Sequence, residues 1–66
     1  MTLTVNGENR DLKDNTTLIA LLESFSLNPE ATAVQLNDDI LERDTFQSIT
    51  LNEGDTVELI RIVGGG

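Results

Sequence analysis

No cysteine and no histidine occur in this sequence of 66 residues. Without thiols there is no disulfide framework and no thiolate metal site. Without imidazole the chain lacks the commonest general base and the commonest metal ligand. Basic residues are also scarce: four Lys plus Arg stand against twelve Asp plus Glu, a net charge of −8. A field of that sign repels phosphate backbones and the anionic inner leaflet, which argues against nucleic-acid and membrane-surface roles. It keeps a small domain soluble, and it also suits encounter with a basic partner surface. No apolar run approaches the ~20 residues of a membrane span, and no basic-then-apolar leader opens the chain. The expectation is a soluble cytoplasmic protein of one small domain, which buries only roughly 60% of the surface exposed when unfolded.

What is present is well patterned. Leu3 and Val5 alternate with Thr2 and Thr4, and Asn6-Gly7 is the dipeptide best suited to a two-residue hairpin turn. Strands are expected at about 2–5 and 8–12, with Leu12 returning to the inner face. Asn15 or Thr16 can cap a helix whose Leu18, Leu21, Leu22 and Phe25 fall on one stripe. That helix must stop before Pro29. A helix so short is not stable alone in water and must cover a sheet. The sheet resumes at Val34 and Leu36, turns at Asn37-Asp38-Asp39, and passes Ile40, Leu41, a charged stretch and Phe46. Ile49 and Leu51, a turn through Glu53-Gly54-Asp55 and a long strand from about Thr56 to Val63 complete it.

The simplest closed solution places the first and last strands parallel at the centre of a mixed sheet, with the helix across one face. This is an α+β arrangement of the β-grasp type. With Val57 and Leu59 facing the helix, Ile60 and Ile62 fall on the opposite face as a small apolar patch or as ordinary exposed residues.

The chain offers little for catalysis. Ser24, Ser26 and Ser48 have no histidine to activate them, and the one lysine, Lys13, reads as solvated in a polar strand. Asp38-Asp39 and Glu53/Asp55 sit in turn-like sequence without a Gly-spaced calcium loop, so neither a catalytic dyad nor a metal site is expected. One group remains, the α-carboxylate of Gly66, preceded by Gly64 and Gly65. A bare run of glycines is also what a frayed end shows. Here it follows directly on a long strand, and glycine lets backbone pass through a narrow channel. Activated as an acyl-adenylate in another protein's nucleotide site, that carboxylate becomes open to attack.

The "VNG" hairpin, the "TLIALLESF" helix, "VQLNDDILERDTF" with Asn37, Ile40, Arg43 and Phe46, and the ending "EGDTVELIRIVGGG" together resemble the ThiS-type sulfur carriers of thiamine biosynthesis. These are ubiquitin-like proteins related to the molybdopterin synthase small subunits, and the resemblance covers essentially the whole chain. It implies a β-grasp domain over residues 1–63 and a flexible glycine tail over 64–66. It implies a carrier and no enzyme: a ThiF-like adenylating enzyme uses ATP to activate Gly66, and a sulfur donor such as a cysteine desulfurase supplies the sulfur of a terminal thiocarboxylate. A ThiG-like thiazole synthase then accepts it. No cofactor is expected to stay bound, and the free protein is expected to be monomeric. Gly64 and Gly65 would thread into partner sites, and Ile60 and Ile62 would be partner contacts. A molybdopterin synthase small subunit and a non-catalytic ubiquitin-like interaction module are the alternatives.

Overall fold

The opening hairpin follows from its dipeptide. In a computed structural model describing residues 1–63, Asn6 and Gly7 sit at φ 51° and 81°, the two positive values a type I′ turn requires. They join β1 (Thr2–Val5) to β2 (Glu8–Asp11) in the register Val5↔Glu8. Leu3 and Val5 are buried, whereas β2 is exposed along its whole length. A short charged strand of that kind suits a sheet edge, where it discourages pairing with other chains.

Helix α1 (Leu18–Ser24) buries Leu18, Leu21 and Leu22 against the sheet. Its cap is Thr17, one residue past the expected pair: the Thr17 hydroxyl accepts from Ala20 N at 3.1 Å. Such a cap contributes about 1 kcal/mol. Asn15 is instead held at φ 68°, and the Thr16 hydroxyl donates to Lys13 O at 2.6 Å. At the other end Ser26 adopts φ 58°, its N–H bonding to Glu23 O (3.0 Å) while Leu27 N–H reaches back to Leu22 O (2.9 Å). These two bonds satisfy carbonyls that a helix end leaves orphaned. Arg10 of β2 lies over the Phe25 ring, 5.1 Å from its centroid, and so ties the helix exit to the sheet edge.

After a one-turn 3-10 segment at Pro29–Ala31 come β3 (Thr32–Leu36) and β4 (Asp39–Ile40), which flank a turn at Asn37 and Asp38. The charged stretch forms a second 3-10 segment, Arg43–Ser48, which was not expected; it carries Phe46 into the core. Strand β5 (Thr56–Arg61) ends two residues before the expected Val63. Likewise β2 stops at Asp11, leaving Lys13 in the loop beyond it.

The five strands run in the order β2-β1-β5-β3-β4, so the last strand is central, parallel to β1 and antiparallel to β3. This is the β-grasp arrangement expected from the pattern. Where β1 turns away, the Asn6 side chain accepts from Leu59 N at 2.7 Å and continues the ladder in place of backbone. The core comprises Leu3, Val5, Leu18, Leu21, Leu22, Val34, Phe46, Leu51, Val57 and Leu59. Gly64, Gly65 and Gly66, the expected tail, lie outside the described residues.

Candidate functional site

Strand β5 positions everything the sequence singled out near its end. Val57 and Leu59 face the helix and are buried. Strand side chains alternate, so Ile60 emerges on the uncovered face, 56% exposed, and Ile62 continues the register at 48%. Beside Ile60 lies Ala33 of β3, and beside Glu58 lies Gln35. The two-residue turn pairs Gln35 with Ile40, which therefore shares this face and is 80% exposed. Sequence reading did not single out Ile40 as a surface residue, although counting across a two-residue turn from Leu36 would have found it.

The outer face is acidic where it is charged. Pairing with Thr2 puts Asp11 on this side but level with the start of β5, 3.7 Å from the Met1 ammonium, whereas Glu58 directly precedes Ile60 on the same face. The three arginines are elsewhere: Arg10 and Arg61 pair with the buried residues Leu3 and Thr32, and Arg43 donates to Pro29 O on the helix side; Lys13 lies in the loop after β2. The result is an apolar patch at the C-terminal end of β5 with the Glu58 carboxylate beside it.

Of the candidate carboxylates, Glu53 and Asp55 are used by the fold, whereas Asp38 and Asp39 are exposed at the β3–β4 turn. Asp55 is 8% exposed and accepts from Asn37 Nδ2 at 2.9 Å and from Asn52 N at 2.7 Å. Glu53 accepts from Thr2 N at 3.0 Å. Both fasten the loop before β5 to its neighbours. Among the described residues no group of three or more Asp and Glu is placed to hold a metal ion. A depression of about 480 Å³ on the helix side is lined by Ile19, Pro29, Glu30, Arg43, Phe46 and Gln47, with no hydroxyl, thiol or amine side chain among them. Among the described residues no helix is long and apolar enough to cross a membrane.

Comparison with known proteins places this geometry. Residues 3–66 match the sequence model of the ThiS family. The chain belongs to the ThiS family. The crystal structure of the thiamine biosynthesis protein ThiS from Geobacter metallireducens superposes with a TM-score of 0.84 at 35% identity, covering 100% of both chains. The sulfur carrier protein ThiS of Bacillus subtilis is 31% identical over 65 residues, 97% of this chain and 98% of that protein. A thiazole synthase of Magnetococcus marinus is 35% identical over 66 residues; the chain is covered completely but spans only 20% of that protein. Within this ThiS-family chain, Ile60 near the end of β5 and Ile62 just beyond it are both exposed. The sites expected at Gly64, Gly65 and Gly66 lie outside the described residues.

Proposed function

We propose that this chain is a sulfur carrier of thiamine biosynthesis whose C-terminal carboxylate is the cargo-bearing group. The observation that carries the reading is the family match, which runs through Gly66 and is joined by end-to-end similarity to a sulfur carrier protein. The chemistry follows from the one reactive group the chain has. A carboxylate oxygen of Gly66 attacks the α-phosphorus of ATP in a ThiF-like adenylating enzyme, and pyrophosphate leaves. The outer sulfur of a persulfide, supplied by a donor such as a cysteine desulfurase, then displaces AMP. A thiol cleaves the sulfur–sulfur bond, becoming part of a disulfide, and the terminus is left as a thiocarboxylate. ATP and thiols are cytoplasmic reagents, and the cytoplasm is the proposed compartment. Gly64 and Gly65 pass through the partner's channel because they carry no Cβ.

The acceptor is a ThiG-like thiazole synthase, a reading favoured over molybdopterin synthase by the similarity to thiazole synthase along the whole chain. Intact mass of the protein isolated from cells lacking the acceptor tests the proposal. A species heavier by the difference between sulfur and oxygen, absent when Gly66 is deleted, is the expected result. Only unmodified protein under those conditions refutes it.

Ile60 and Ile62 are proposed as the docking patch, with Glu58 beside them attracting a basic partner surface. An Ile60→Glu variant removes an apolar contact from the exposed face and leaves the core untouched. Its circular dichroism is expected to match wild type while the Kd for the adenylating enzyme rises roughly 10- to 100-fold. Titration calorimetry or fluorescence anisotropy measures this, and an unchanged Kd removes Ile60 from the interface.

A further inference from the structure

Ile62 makes the last backbone hydrogen bond among the described residues before the glycines, and its partner is not part of a strand. Its N–H donates to Ala31 O at 2.8 Å, and Ala31 closes the Pro29–Ala31 turn. That turn is held from two sides. From within, Asn28 O accepts both Ala31 N (2.9 Å) and the Thr32 hydroxyl (2.7 Å), while Asn28 Oδ1 accepts Glu30 N at 2.9 Å. From outside, Arg43 Nε donates to Pro29 O at 2.9 Å. Arg43 opens the 3-10 segment that Phe46 roots in the core, so its guanidinium is carried on a fixed support. Among the described residues it makes no ion pair.

We infer that Asn28 and Arg43 are positioning residues for the C-terminal arm: by holding the Pro29–Ala31 turn they keep the Ala31 carbonyl on Ile62 and so fix where the arm begins. The anchoring is a matter of geometry alone, and its functional consequence rests on the carrier reading. Bonded and non-bonded pairs alternate along an antiparallel ladder. If Ile62–Ala31 opens, the next bonded pair inward is Ile60–Ala33, because Arg61 and Thr32 form the non-bonded pair between them. The stretch of sequence beyond the last bonded pair then grows from residues 63–66 to residues 61–66. Its reach rises from roughly 13 Å to roughly 20 Å. The concentration of the terminal carboxylate at a partner's active site falls about twofold, as the −3/2 power of length. On this account Gly64, which exceeds the minimal Gly-Gly ending, is a spacer matched to an arm that starts at Val63.

Amide hydrogen exchange followed by NMR on wild type, Arg43→Ala, Arg43→Lys and Asn28→Ala tests the anchor. Ile62 is expected to exchange about tenfold faster in Arg43→Ala and Asn28→Ala, with Leu59 and Val57 unchanged. Arg43→Lys is expected to restore most of the protection, because an ammonium can donate to the same carbonyl. Single-turnover charging by the adenylating enzyme with ATP supplies the second readout. Arg43→Ala is expected to be charged about twofold more slowly at unchanged KM. Deleting Gly64 is expected to restore the rate in Arg43→Ala and to slow the wild type.

Ile62 exchange that stays at the wild-type rate in Arg43→Ala, or that rises in step with Leu59, overturns the anchor. Charging of Arg43→Ala at the wild-type rate overturns the positioning role. If the wild type itself is never charged, the carrier reading fails and the Ile62 exchange rates still decide the anchor.

Discussion

A Gly65→Val variant is expected to keep its fold and lose its charging. Position 65 follows Leu59, the last core residue among those described, by six residues, and the core side chains themselves are unchanged by the substitution. On the proposed mechanism the terminus lies extended in a partner's channel with its carboxylate in line with the α-phosphorus of ATP, and a β-branched side chain at position 65 widens that segment. Displacing a reacting group by about 1 Å can cost about 100-fold in rate, and charging is expected to fall at least that far. Adenylate formation is measured by ATP–pyrophosphate exchange with the adenylating enzyme, and the fold by thermal denaturation. A variant charged at the wild-type rate removes the narrow-channel requirement. One that melts at a lower temperature contradicts the independence of arm and domain.

The second large effect is on stability. Leu22 is fully buried between helix and sheet. Leu22→Ala leaves a cavity in a core that cannot collapse around it, at a cost of about 2–5 kcal/mol. A chain of 66 residues has roughly 3–10 kcal/mol in total. The variant is therefore expected to be largely unfolded, or to show a urea midpoint lowered by about 2 M or more at unchanged slope. An equilibrium urea titration followed by circular dichroism decides it. A midpoint within experimental scatter of wild type rules out Leu22 as a central support.

The elements that sequence made legible are those whose apolar residues recur with a period. Leu3 and Val5 alternate, and Leu18, Leu21 and Leu22 follow helical spacing; each fell where its spacing predicts. The same alternation placed Ile60 on the uncovered face. What escaped depends on contacts between distant segments. Asn15, Thr16 and Thr17 are all able to cap a helix, and the choice is made by pairing with the loop before β5. Thr16 O accepts Leu51 N, and Leu18 N donates to Ile49 O, which leaves Thr17 at the boundary. The Arg43–Ser48 segment has one apolar anchor, Phe46, and a single anchor has no period. The bond from Arg43 to Pro29 joins residues 14 apart, and nothing local announces it.

The central place of β5 has a consequence for how the domain is acquired and lost. Without β5 the sheet separates into two hairpins, β1–β2 and β3–β4, because neither pairs with the other except through it. Hairpins of that size are marginal in water. No early subset of strands can therefore act as a stable folding intermediate, and acquiring the native sheet waits on contacts between opposite ends of the sequence, a topology that folds slowly for its size. Proteolysis then discriminates sharply. A chain clipped within β5 forfeits the whole sheet and becomes a substrate for further digestion, so the copies that persist are those in which the strand leading to the glycines is intact.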